Sequence, residues 1–101
     1  MKKIELKEFI LEDLRRLGEK YKVEQIILFG SRAKGTNDER SDIDLVVKGF
    51  QSRVDHLDFK EEVEQIRTLL MFDVVDLNSY LVDPGLRDEI EKDGVVIYEK
   101  V

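Results

Sequence analysis

Gly30-Ser31 is followed, at positions 42 and 44, by two aspartates separated by one isoleucine. On an extended strand Asp42 and Asp44 point to the same face, while Ile43 points oppositely into a core. Two carboxylates held that way repel unless a positive charge sits between them. Mg²⁺ suits such a pair, because it takes hard oxygen ligands, retains water and commonly bridges one or two carboxylates to substrate phosphates. In a two-ion arrangement, one ion activates an attacking hydroxyl and the other stabilises charge on a triphosphate. Gly30 permits a backbone turn that a side chain would crowd, and the following amides and the Ser31 hydroxyl can donate to phosphate oxygens. A helical turn starting there would present its positive end to the same anion.

Taken singly, each signal has a plain structural explanation. Asp42 and Asp44 fit a solvated strand edge, and Gly30 and Gly35 fit the end of a strand and the reversal of a loop. The segment has neither the Walker glycine-lysine pattern nor the dinucleotide fingerprint, so a P-loop ATPase is a poor match. The conjunction is what carries chemistry: the spacing lets the Gly30-Ser31 turn and the aspartate-bearing strand meet at the same end of adjacent strands. Arg32 and Lys34 add positive charge, Arg32 as a bidentate phosphate donor and Lys34 as a flexible point charge, with surface solvation as the other role open to both. Ser41 can cap the approach to Asp42, whereas Asp38 and Glu39 read as solvated loop residues. A third carboxylate should come from Phe72-Asp73-Val74-Val75-Asp76-Leu77. Asp73 and Asp76 face opposite sides of a regular strand, so only one can join the pair. We take Asp73 as a metal ligand or as base to an acceptor hydroxyl, leaving Asp76 to leave the sheet or cap the next turn.

These residues need elements to hold them. Leu6, Ile10, Leu14, Leu17 and Tyr21 recur at helical spacing, predicting an amphipathic helix that ends between Gly18 and Tyr21. Val23 to Phe29 reads as a buried strand stopped by Gly30, and Ile43 to Val47 as a second one beside it, bounded by Gly49. Phe59, Val63, Ile66 and Leu70 mark one face of a second long helix, with the Glu61-Glu62-Glu64 cluster on its solvated side. Phe72 to Leu77 follows as a strand. Asp83-Pro84-Gly85 then opens a short helix anchored by Leu86 and Ile90 and closed by Gly94, and Val95 to Tyr98 forms a peripheral strand. The expected class is α/β, a small mixed β-sheet packed with helices.

The 101 residues, 42% hydrophobic, allow one compact core, so residues 1–101 are expected to form a single domain. A formal charge of −6 opposes a polyanionic backbone, and no stable nucleic-acid binding is expected. Cysteine is absent, and no long apolar span or targeting segment is visible, which fits a cytoplasmic protein without membrane association. His56, the sole histidine, is expected to cap or solvate the entry to the second long helix rather than bind zinc. Tyr21, Tyr80 and Tyr98 read as packing residues, and Phe29, Phe50, Phe59 and Phe72 as core or boundary positions.

Gly30-Ser31-Arg32-Ala33-Lys34-Gly35 followed by Ser41-Asp42-Ile43-Asp44-Leu45-Val46-Val47 resembles the minimal nucleotidyltransferase (MNT) branch of the polymerase-beta-like nucleotidyltransferase superfamily. The likeness extends through the later aspartate-bearing strand to the Ile90 to Tyr98 ending. It implies that Gly30 and Ser31 hold a nucleoside triphosphate, with Arg32 beside them, that Asp42 and Asp44 bind catalytic Mg²⁺, and that a later aspartate completes a triad. Small members of this branch are commonly paired with a helical HEPN-type toxin. By resemblance the nucleotidyltransferase is the antitoxin, and some members transfer AMP from ATP to a tyrosine of the toxin. The resemblance therefore implies ATP as donor, a HEPN partner and a hetero-oligomer. Two other functions stay open: an inactive antitoxin that neutralises its partner by binding, and a nucleotidyltransferase acting on a small hydroxyl compound.

Overall fold

The structure, a computed structural model, describes residues 6–78 and 83–101. Tyr80 lies outside them. The chain runs α1 (Glu8–Lys20), β1 (Gln25–Phe29), α2 (Ser31–Lys34), β2 (Ile43–Lys48), α3 (Arg53–Glu64), β3 (Phe72–Asp76), α4 (Pro84–Asp93) and β4 (Val95–Glu99). The four strands form one mixed sheet in the order β3-β2-β1-β4. β1 is antiparallel to both β2 and β4, while β2 and β3 are parallel, joined by the crossover through α3.

Strand alternation divides the core in two. Ile26, Leu28, Ile43, Leu45, Val47 and Val74 face the apolar stripes of α1 and α3, with Ile10, Leu14, Leu17, Phe59 and Val63 buried against them. Ile27, Phe29 and Val46 face the other way and pack with Ile90 of α4. Both central strands are thus buried on two sides, which is why they read as continuous apolar runs rather than alternating ones.

The second long helix differs from its sequence expectation. The spacing of Phe59, Val63, Ile66 and Leu70 predicts a helix running to Leu70, but α3 begins at Arg53 and stops at Glu64. Its start is set by Ser52, whose hydroxyl accepts from the Asp55 amide at 3.1 Å, an N-cap that lies ahead of the apolar stripe. Its end is tightened by Gln65 and Ile66 amides donating three residues back, to Glu62 and Val63 carbonyls. Ile66 still reaches the core from beyond the helix, and the Thr68 hydroxyl accepts from the Leu70 amide in a separate turn. The first strand is also shorter than the apolar run. Val23 is fully buried, but it follows Lys22, whose φ of 55° breaks the extended path, and the strand begins at Gln25.

Candidate active site

The pairing register builds the site. Phe29, the last residue of β1, lies opposite Asp44 on β2, so Gly30 leaves the sheet directly beside that carboxylate. On the other flank of β2, Asp44 is in register with Asp73 of β3. Asp44 shares its face with Val46, and Asp73 shares its face with Val75, both on the α4 side of the sheet. Asp42 stands just before β2 on the same alternation. Asp42 and Asp73 are exposed and Asp44 is half-buried.

Gly30 is fitted to this place. Its φ of 74° and ψ of −156° fall in a region essentially reserved for glycine, and a Cβ added there would collide with the Asp44 carboxylate. The chain then turns through α2, which starts at Ser31 and whose first amides have no intrahelical acceptor. Gly35, at φ 77°, ends α2 in the left-handed conformation and sends the loop back toward Asp42.

Arg32 and Lys34 are placed differently from each other. Arg32 is buried, with Nε donating to the Ser41 carbonyl at 3.0 Å and an η-nitrogen reaching the Glu39 carbonyl at 3.4 Å. Its guanidinium therefore ties α2 to the backbone that delivers Asp42. Ser41 accepts from the Asp38 amide at 3.0 Å, and Asp38 accepts from the Arg40 amide at 2.8 Å, so Asp38 helps fold this loop rather than only solvating it. Lys34, half-exposed, pairs with Glu89 of α4 at 3.2 Å.

Asp44 has its carboxyl pushed above the usual carboxylate range, first by burial and then by the charges of Asp73, Asp42 and Glu89. Among the described residues, the charges that act on it are like charges. Among the described residues, no three carboxylate, imidazole or thiolate side chains already converge as a metal-ligand group. The donor set nevertheless fits Mg²⁺: hard oxygens only, on one face, mutually repelling, next to a glycine with no side chain to fill the gap. Glu89 is the member that sequence reading missed. Its position between Leu86 and Ile90, which both pack against the sheet, is the local signal that it faces inward.

Several other residues stand apart from this face. Asp76 lies in register with Val47, on the α1 and α3 side, and caps the following turn by accepting from the Asn78 amide at 3.0 Å. His56 stacks on Phe50 with ring centroids 5.0 Å apart, and its Nε2 lies 3.3 Å from the Val74 carbonyl, so it joins α3 to β3 instead of solvating the helix entry. Glu62 is not merely a solvated helix residue either. It accepts from Lys20 at 2.6 Å and from the Tyr21 hydroxyl, clasping α3 to the end of α1. A groove of about 970 Å³ opens among the start of α1, Arg32, the 35–39 loop and residues 67–70. None of Asp42, Asp44 and Asp73 lines it.

Similarity to known proteins agrees with this geometry. Two proteins of Methanocaldococcus jannaschii, "Putative protein adenylyltransferase MJ0128" and "Putative protein adenylyltransferase MJ1379", are each 34% identical to this chain, over 92% of it and 95% of their own length. Solved structures share the fold at lower identity. A crystal structure of a toxin-antitoxin with AMP-PNP superposes with a TM-score of 0.72 at 22% identity, covering 89% of this chain and 73% of the other. The MNT antitoxin complexed with the tri-AMPylated Shewanella oneidensis HEPN toxin gives 0.69 at 18% identity, covering 94% and 74%. No described helix is long and apolar enough to cross a membrane. The family model for polymerase beta nucleotidyltransferases matches residues 12–101, spanning the glycine turn, all three aspartates and the closing strand, and the chain belongs to that family.

Proposed function

We propose that this chain transfers AMP from ATP to a hydroxyl, a tyrosine being the favoured acceptor, on a HEPN-type toxin, and that this makes it the antitoxin of the pair. The observation that carries the reading is the register Phe29, Asp44, Asp73, which sets the glycine turn and two carboxylates from separate strands side by side. The adenylyltransferase names of its relatives and the AMPylated toxin beside a structurally similar antitoxin support the acceptor class.

In this mechanism the Gly30-Ser31 turn holds the triphosphate through backbone amides and the Ser31 hydroxyl. The acceptor oxygen attacks the α-phosphorus in line. A new oxygen–phosphorus bond forms as the bond to the β-phosphate bridge breaks, and pyrophosphate leaves with that electron pair. To Asp73, exposed at the start of β3, we assign the acceptor's proton. Asp42, Asp44 and Asp73 would hold Mg²⁺, which when bound supplies charge neutralisation on the phosphates and lowers the cost of ionising the acceptor. Arg32 acts from behind, keeping the loop that delivers Asp42 in register with α2. A helical partner would bring the hydroxyl and cover the open acidic face.

The direct test is incubation with labelled ATP, Mg²⁺ and a HEPN partner, followed by mass measurement of the partner. One AMP per modified tyrosine is expected, and an unmodified partner in an intact complex would overturn the catalytic reading. That outcome would favour neutralisation by binding, which the absence of a preassembled three-ligand group among the described residues keeps as the second reading.

A further inference from the structure

The groove of about 970 Å³ between the start of α1, the 35–39 loop and residues 67–70 does not end at those elements. A second hollow of about 440 Å³ shares Phe9 and Arg67 with it and continues along α1 to Leu17. Together they follow α1 from Lys7 to Leu17, about 15 Å at the rise of an α-helix. Ile10 and Leu70 supply buried or half-buried apolar surface, while Phe9 stays exposed and Leu69 is fully exposed. Lys7 and Arg67 border the same space, and among the described residues neither has an ion-pair partner. Asn37 lines it too, and its Oδ1 is buried with no hydrogen-bond partner among the described residues, an acceptor that a donor from outside would satisfy. The rim leads on to the carboxylates: Leu69, Met71 and Asp73 are all exposed, and the Met71 carbonyl accepts from the Ile43 amide, next to Asp42, at 2.8 Å.

We infer that this groove docks an amphipathic helix of the acceptor protein, about ten residues long at 1.5 Å per residue, whose apolar stripe is edged by carboxylates. The surface deepens the nucleotidyltransferase reading, on which it rests, by naming where the partner is gripped. An elongated trench running beside a helix and floored by apolar side chains suits an incoming helix that inserts anchors three and four residues apart. Charge fixes its chemistry. In a chain of net charge −6, Lys7 and Arg67 are cations left without a carboxylate among the described residues, and they match acidic residues on the incoming helix. Asp38 and Glu39 belong instead to the 35–39 loop, so the acidic edge of the helix is set toward α1 and residues 67–70. None of Asp42, Asp44 and Asp73 lines the groove, so a docked helix leaves the acidic face open. The hydroxyl then comes from a neighbouring part of the same partner, passing over Met71 to reach Asp73. Grip and chemistry are thereby separated: the groove sets affinity for the acceptor protein, and the acidic face sets the rate.

Calorimetry of a HEPN-type partner binding to the full chain tests this, with Leu69→Asp, Arg67→Glu and, as a control on α3, Val54→Asp. All three positions are exposed in the free chain, so the variants are expected to fold. Leu69→Asp should weaken the partner about tenfold, the scale of a lost apolar anchor. Arg67→Glu should weaken it about fivefold at low salt and much less at high salt, as screening removes the contribution of a rim charge. Val54→Asp should stay within about twofold. In AMP transfer the two groove variants should raise KM for the partner, leaving kcat at saturating partner and affinity for an ATP analogue unchanged. Amide exchange in the complex should slow in α1 and in residues 66–71. Unchanged affinity in both groove variants, or protection confined to α4 and β3, would overturn the inference. A free chain that self-associates and is dissociated by Leu69→Asp would give the groove to a second copy and overturn it equally, as would a chain that binds no HEPN-type partner. If the partner binds through the groove but stays unmodified in ATP and Mg²⁺, the transferase reading falls and the docking surface stands.

Discussion

Gly30 joins two requirements in one residue, a backbone conformation and an empty space. Its φ of 74° with ψ near −156° is costly for any side chain, and the volume a Cβ would take already belongs to the Asp44 carboxylate. Gly30→Ala should therefore lower stability by about 1–3 kcal/mol and displace Asp44. In thermal unfolding this is a fall of roughly 4–8 °C per kcal/mol for a domain of this size. An unchanged Tm with unchanged AMP transfer would mean that the turn is more permissive than its geometry implies. Asp42 and Asp44 differ from Gly30 in that the fold does not require their charge. Asp42→Asn and Asp44→Asn are each expected to reduce AMP transfer by about 10²–10³-fold, the scale of losing one preorganised electrostatic contribution. Binding of the partner, measured by calorimetry, should stay within a few fold. Loss of partner binding in both variants would instead place these aspartates in the protein interface.

The helices and loops that position these residues are held by side-chain contacts beyond the regular secondary structure. Arg32 is the clearest case: its buried guanidinium reads the Ser41 and Glu39 carbonyls, and lysine cannot reproduce a donor at the Nε position. Arg32→Lys should thus cost transfer activity through a disordered approach to Asp42, visible as faster amide exchange in residues 38–42; protection equal to that of the unaltered protein would count against this role. The α1–α3 clasp gives a pH signature. Hydrogen bonds from Lys20 and then Tyr21 hold the Glu62 carboxyl below its ordinary value of 4.5. A depressed folded-state value means the stabilisation is complete above about pH 4.5 and fades as pH falls through the folded-state value. Burial, and then the Glu62 bond, raise the Tyr21 hydroxyl above its ordinary 10.0, so the same clasp also weakens as pH rises beyond that value. The Tm difference between the unaltered protein and Glu62→Gln should form a plateau between these limits and shrink toward acid; a difference independent of pH would show that the clasp is packing alone. Strand alternation made much of this layer legible beforehand. The common face of Asp42 and Asp44 and the opposite faces of Asp73 and Asp76 follow from a period of two. Ser52 as a cap, Glu62 as a clasp and Arg32 as a loop tie were not legible in the same way, because each is defined by a partner that periodicity does not name.

At the scale of the whole molecule, the sheet concentrates negative charge in a chain that is already acidic. With a net charge of −6, the protein sets Asp44 among Asp42, Asp73 and Glu89, and the raised Asp44 carboxyl is the energetic trace of that choice. The antiparallel β1–β2 pairing and the parallel β2–β3 crossover bring these groups together; only the first of those adjacencies was foreseen from the sequence, because composition does not specify strand order. Glu89 enters from α4, and only the folded topology shows that it does. A group whose folded-state value is raised contributes stability below its ordinary value of 3.8 and loses it as pH rises, so at neutral pH the folded state carries an unfavourable charge at Asp44. Asp44→Asn removes that charge and should raise the Tm measured in chelator. Mg²⁺ should act on the other side of the same balance. At about ten times its dissociation constant it stabilises the unaltered protein by roughly 1.4 kcal/mol through mass action, an increase of several degrees, with little effect on Asp44→Asn. Differential scanning calorimetry of both proteins, with and without Mg²⁺, measures the two shifts together. If Asp44→Asn melts no higher in chelator, the acidic face is not strained by that charge, and if Mg²⁺ raises both proteins equally, Asp44 holds no cation and the fold gathers those carboxylates for some purpose other than phosphate chemistry.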